Sequence, residues 1–191
     1  LARFQVDRIN GEEYMSAQVF TPRQMIERLV AFDTTSRESN LELIAFIQDY
    51  LADFNVESLL VHNEDNTKAN LYATLGDKAK SGVMLSGHTD VVPVGDPDSG
   101  QDDPFGAEVK DGVLYGRGAS DMKTAIACFA EATSRFLANH GSDFGGSISF
   151  LITGDEEGPA INGTRKLLEW AKAEGEVLDA CLGGEPTNPT E

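Results

Sequence analysis

The sequence predicts an α/β fold: a layered sandwich of helices around a mixed, largely parallel sheet. Three observations predict it. Strand-like and helix-like patterns alternate along the chain, as crossover connections require. The run Ser147–Ile152 is apolar nearly throughout, as a strand covered on both faces is. Hydrophobic residues make up 40% of 191, enough for the core of one good-sized domain.

The elements follow in order. Thr21-Pro22-Arg23-Gln24 is a capping box with proline at the first helical position, and Met25, Ile26, Leu29 and Val30 recur on one face behind it. Asn40 is placed to cap a second helix, whose apolar stripe is Leu43, Ile44, Ile47, Tyr50, Leu51 and Phe54. Strands are expected at about Val56–Val61, Ala69–Leu75 and Gly82–Ser86. Residues 96–104, rich in Asp, Gly and Pro, form a loop, and Glu108–Leu114 reads as a hairpin about Lys110-Asp111-Gly112. The Gly-rich bend Gly116–Ser120 precedes a helix from about Asp121 to Ala138, with Ile126, Phe129, Thr133, Phe136 and Leu137 inward and Gly141 at its end. The strand Ser147–Ile152, a helix at Gly163–Ala173 and a strand at Val177–Leu182 complete the pattern.

Charge and composition narrow the function. There are 32 acidic against 15 basic residues, a net charge of −17, which argues against nucleic acid as a partner. No apolar run approaches membrane-spanning length and no signal-peptide pattern is present, so no membrane partner is expected. Cys128 and Cys181 each fall inside an apolar element and read as small core residues, consistent with a reduced cytoplasm.

The chemistry gathers around Gly87-His88-Thr89-Asp90, where an apolar strand ends in His-x-Asp. Ligands of open α/β sheets bind at the carboxyl ends of strands. Glu156 and Glu157 follow the strand Ser147–Ile152, Glu185 follows the last strand, and Asp121 opens a helix. If these strands are neighbours, about 4.8 Å apart, the groups converge at one rim and suit a pair of metal ions. Imidazole with carboxylates favours zinc, cobalt or manganese over calcium. Of the adjacent glutamates, one can bind metal while the other takes a proton from water. A phosphate-binding reading of Gly116–Thr124 competes weakly: Met122 stands where such a loop needs glycine, and no strand is expected to lead directly into it.

Four ordered segments, Ser86-Gly87-His88-Thr89-Asp90-Val91-Val92-Pro93, Gly116-Arg117-Gly118-Ala119-Ser120-Asp121-Met122-Lys123, Thr153-Gly154-Asp155-Glu156-Glu157-Gly158 and Gly184-Glu185-Pro186-Thr187, resemble the metal-site motifs of the dinuclear zinc aminoacylase and carboxypeptidase family. The resemblance covers about Thr21 to Glu191 and implies a three-layer zinc-peptidase-like domain. It implies that His88 binds one metal and Asp90 orients His88. Asp121 bridges both metals, Glu157 binds the second, Glu185 binds the first, and Glu156 is the general base. The implied reaction is metal-dependent hydrolysis of an N-acyl amino acid, with two zinc ions.

Within that family, Leu29–Pro93 is similar to the acetylornithine deacetylase branch. From Gly95 on, the chain is closer to the succinyl-diaminopimelate desuccinylase branch, which is the favoured one. Family members continue through a lid or dimerisation domain and return with a final metal-binding histidine. Residues 15–191 are therefore expected to be the N-terminal part of the catalytic domain, residues 1–14 an extension outside the fold, and the full-length form a homodimer. His62 and His140 are not expected to replace the final histidine.

Overall fold

The computed structural model describes residues 6–9, 12–15, 19–80, 82–96 and 102–187, with side-chain surroundings from residue 19 onward. Near the start, β1 (Val6–Ile9) pairs antiparallel with β2 (Glu12–Met15) in a ribbon of its own, where the sequence suggests no regular element. Residues 16–18, most of the 96–104 loop (97–101) and residues 188–191 lie outside the described residues.

α1 (Pro22–Val30) begins as its sequence dictates: the Thr21 side chain accepts from the Gln24 N–H, and the Gln24 side chain accepts from the Thr21 N–H. α2 (Leu41–Ala52) does not. The Asn40 side chain makes no capping bond to it. Its side-chain amide instead bridges inward, donating to the Ala69 carbonyl (2.8 Å) and Thr89 Oγ1 (3.0 Å) and accepting from the Ala69 N–H (3.0 Å).

The central sheet contains β3 (Ser58–His62), β4 (Ala69–Gly76), β5 (Gly82–His88), β8 (Ser147–Thr153) and β9 (Leu178–Gly183), in the order β3-β4-β8-β5-β9. β4 runs antiparallel to both β3 and β8, whereas β5 runs parallel to β8 and β9. The parallel half carries the site. β6 (Glu108–Lys110) and β7 (Val113–Tyr115) form the expected hairpin.

Helices cover both faces. On one, Met25 and Leu29 of α1, Leu43, Ile44 and Ile47 of α2, and Ile126 and Ala130 of α3 (Thr124–His140) pack on Leu71, Ala73, Phe150 and Ile152. On the other, Leu167 and Ala171 of α4 (Thr164–Ala173) pack on Tyr72, Met84 and Leu151, and Trp170 meets Tyr72 edge-on at 5.0 Å. Each such fully buried aliphatic side chain contributes roughly 1.5–3 kcal/mol. The three-layer α/β/α architecture is the expected one.

Two further expectations fail. Cys128 and Cys181 are exposed free thiols, not core residues. Cys128 sits one position off the inward stripe of α3 set by Ile126 and Phe129, and Cys181 lies on a strand exposed along most of its length. The third helix also begins at Thr124 rather than Asp121, because residues 119–123 form a wider turn with non-helical backbone at Asp121 and Met122.

Candidate metal centre

Because β5, β8 and β9 are parallel neighbours, their carboxyl ends open on one rim. His88 pairs in register with Thr153 of β8, and Ser86 with Gly183 of β9. His88 is 2% exposed. Its Nδ1 lies 2.9 Å from the Asp90 carbonyl oxygen. A carbonyl only accepts, so Nδ1 carries a proton, and in the metal-binding form of the ring the lone pair lies at Nε2. That Nε2 faces carboxylates: Asp121 Oδ1 at 3.0 Å, Glu185 Oε1 at 3.5 Å and Glu156 Oε2 at 3.9 Å. Acceptor facing acceptor repels unless a cation lies between them, so the donor set fits a divalent metal.

The most compact group of potential ligands is His88, Asp121 and Glu157, whose ligand atoms all lie within 4.8 Å of one another. Glu185 reaches His88 from the β9 side. Burial first, then the carboxylates of Asp121, Glu156 and Asp90, hold Glu157 above the usual carboxylate range, and His88 opposes them. Glu185 is raised likewise, by burial and then by Asp121 and Glu156, again opposed by His88. A metal ion among them would reverse that balance.

Asp90 is fully buried, and its main partners differ from those expected. Its carboxylate accepts the backbone N–H groups of Glu156 (3.1 Å) and Glu157 (3.0 Å), while its Oδ1 stands 3.6 Å from His88 Nδ1. The backbone of Asp90 orients the histidine, and its side chain holds the two glutamates.

Asp121 is placed by the turn that carries it. Gly118 opens the turn with φ +79°, and the Lys123 N–H returns to the Gly118 carbonyl at 2.8 Å. Met122 is buried against β5 and β9 where both are glycine. A Cβ at Gly87 would come within 2.8 Å of the Met122 methyl, and one at Gly184 within 2.6 Å. Lys123 is fully buried and its ammonium donates to the Phe32 carbonyl at 2.6 Å. Desolvation pushes its pKa down to about 8, against the pull of Asp33.

The glutamate loop is tied from behind as well. The Gly154 N–H donates to Asn70 Oδ1 (3.0 Å), and Lys68 donates to the Gly154 carbonyl (2.9 Å). Asn40, Lys68, Asn70, Met122 and Lys123 thus support the site without having been singled out as functional. Met122 and Lys123 stand within a motif segment, which was the available signal for them; Asn40, Lys68 and Asn70 stand outside all four. His62 and His140 are exposed, on β3 and at the end of α3, and neither figures among the described contacts of His88. A strand, β7, does run directly into Gly116, contrary to expectation, but it belongs to the exposed hairpin rather than to the central sheet.

Known proteins resemble this chain in sequence and in fold. The chain is 51% identical over 173 residues to a succinyl-diaminopimelate desuccinylase of Methylorubrum extorquens strain PA1, covering 88% of the chain and 44% of that protein. It is 61% identical over 120 residues to one from Rhodospirillum centenum, covering 63% of the chain and 31% of that protein. The chain thus spans less than half the length of these curated relatives. Among solved structures, human carnosine dipeptidase 1 superposes with a TM-score of 0.75 at 26% identity, over 87% of this chain and 38% of that one. The M20 family metallo-carboxypeptidase Sso-CP2 of Sulfolobus solfataricus also gives 0.75, at 20% identity over 86% of this chain and 37% of its own, a likeness of fold. The model of Peptidase family M20/M25/M40 matches residues 84–191, which hold the histidine and every carboxylate of the rim. More than half of the sequence lies under that model, and the chain belongs to peptidase family M20/M25/M40.

Proposed function

We propose that this chain carries the metal-binding and proton-transfer machinery of an amide hydrolase that removes the succinyl group from N-succinyl-diaminopimelate. The observation that carries the reading is His88 Nε2, turned into a ring of carboxylates while Nδ1 is engaged by the Asp90 carbonyl. His88, Asp121 and Glu185 would hold one divalent ion and Asp121 with Glu157 a second. Zinc fits this set, with cobalt or manganese as alternatives. When bound, such ions supply polarisation of the amide carbonyl and acidification of water.

The chain's own groups do the rest. Glu156 takes the proton of the attacking water as the new C–O bond forms, and passes it to the nitrogen as the C–N bond breaks. A carboxylic acid and a free amine result. Asp90 holds the Glu156 and Glu157 backbone in place for this. The names of relatives at 51–61% identity favour the succinyl substrate over acetylornithine. The same reading carries a homodimeric full-length form, a small-molecule substrate rather than nucleic acid or membrane, and a reduced cytoplasm in which both thiols stay free. Among the described residues no helix is long and apolar enough to cross a membrane.

The test joins this chain to the remaining segment of the M. extorquens desuccinylase and assays N-succinyl-diaminopimelate and N-acetylornithine side by side. Glu156→Ala should lower turnover by about 10²–10⁴-fold with metal content unchanged. Retained turnover in that variant removes Glu156 from its role.

A further inference from the structure

Residues 154–163, between β8 and α4, form no helix or strand of their own, yet they carry Glu156 and Glu157. Side chains must therefore fix their course. Asp90 does so at the two glutamate amides. The second buried carboxylate is Asp155, which is 4% exposed and has been given no role so far. Its hydrogen bonds go to the far limb of the loop rather than to His88, Asp121 or Glu185. It accepts the backbone N–H groups of Ala160 (3.3 Å), Ile161 (3.0 Å) and Asn162 (2.8 Å). Three successive amides turned onto one carboxylate make an anion nest, and each bond is charge-assisted.

The neighbouring sequence leaves room for this closure. A Cβ at Gly163 would come within 2.4 Å of the Asp155 carbonyl oxygen, and one at Gly158 within 3.1 Å of Asp155 Oδ1. Asn70 closes the same two limbs, accepting from the Gly154 N–H at 3.0 Å and donating to the Asn162 carbonyl at 2.5 Å. The near limb, 154–155, is thereby pinned to the far limb, 160–162. Glu156 and Glu157 stand on the bend between them.

We propose that Asp155 is a positioning residue of the metal centre. By tying residues 160–162 back onto the strand end, it fixes the backbone bearing Glu156 and Glu157, so that their carboxylates are ordered before a metal ion arrives. Preordering removes a cost otherwise met on binding. Groups that orient metal ligands affect affinity without touching the ion. The inference rests on reading His88, Asp121 and Glu157 as metal ligands.

Cobalt(II) titration of the 191-residue chain, read by its visible d–d absorption, provides the test. Asp155→Asn keeps the shape but turns an N–H donor toward backbone donors. It should retain far-UV circular dichroism, bind cobalt about 10–100-fold more weakly, and alter the d–d bands. Loss of thermal stability alone, with cobalt affinity and spectrum as in the unmodified chain, overturns the proposal. Should Asp155→Asn fail to fold, hydrogen exchange on the unmodified chain decides. Zinc should slow exchange at Ala160, Ile161 and Asn162, and unchanged exchange there overturns it. His88→Ala and Glu157→Gln separate the two levels. If both bind cobalt as the unmodified chain does, the metal-centre reading falls and this inference with it. If both lose cobalt while Asp155→Asn keeps it, only this inference falls.

Discussion

Asn40 offers a clean choice between a local and a long-range role. As the N-cap of α2 it would be worth about 1 kcal/mol, and aspartate would serve equally well. In the structure its side chain caps nothing. At 1% exposure it satisfies both backbone groups of Ala69 and bonds Thr89 Oγ1, joining α2, β4 and the end of β5. Asn40→Ala leaves the buried N–H and C=O of Ala69 without partners. At roughly 1–3 kcal/mol for each, the loss is about 2–6 kcal/mol. Asn40→Asp should be at least as damaging, since a carboxylate cannot donate to the Ala69 carbonyl and would be buried without a counter-charge. Gly154→Ala attacks the same contact from the other side: its Cβ would lie 2.0 Å from the Asn40 amide nitrogen. Combined with Asn40→Ala it should cost less than the sum of the two, because the amide it strikes is gone. Urea unfolding followed by circular dichroism measures all four variants against the unmodified chain. An Asn40→Asp chain within about 0.5 kcal/mol of the unmodified one, with Asn40→Ala losing only about 1, would return Asn40 to a capping role and refute the bridging argument.

Three further outcomes are expected. Calorimetric titration of the chain with zinc should show one tight ion and one weak one, since only one described histidine faces the carboxylates; two equally tight sites would show a ligand set other than this one. Because Glu157 and Glu185 titrate above their usual value of 4.5 in the metal-free fold, the native state holds protons that the unfolded chain has released. Their contribution to stability is present at low pH and is lost as pH rises through that window, so zinc should displace protons and bind more tightly at pH 7 than at pH 5; equal affinity at the two values contradicts this. Lys123 has the opposite sign. With its pKa down to about 8 from 10.5, the unfolded chain binds the extra proton between those values, so stability rises with pH there by up to about 3 kcal/mol, and Lys123→Met should flatten that rise in urea midpoints measured from pH 7.5 to 10.

Local pattern made most of the elements legible. The capping box at Thr21, the stripe of α2 and the apolar run of β8 each announce their state within a dozen residues, and the structure has them where the periodicity places them. Convergence at the rim was legible only as a condition, since it depends on which strands are neighbours. Strand order is set by pairings across sequence separations that no local window contains: Leu71 meets Ile152, and Gly82 meets Ser147. Asn40 misled because asparagine is equally suited to a helix cap and to bridging backbone groups, and the second option appears only once Ala69 and Thr89 are brought beside it. The cysteines misled because an apolar neighbourhood in sequence does not say which face a residue takes. Asp90 does stand beside His88, but its grip on the Glu156 and Glu157 amides involves a loop 66 residues away.

The position of β8 bears on how such a chain is made. It follows β3, β4 and β5 in the sequence, yet it sits in the middle of the sheet, between β4 and β5. Until residue 153 has emerged, β3–β4 and β5 have no strand to join them, and their apolar faces and unpaired edges are exposed to other chains. Translation at roughly 5–20 residues per second stretches that interval to several seconds. A pause in synthesis just before Ser147 would lengthen the interval in which those edges stand unpaired.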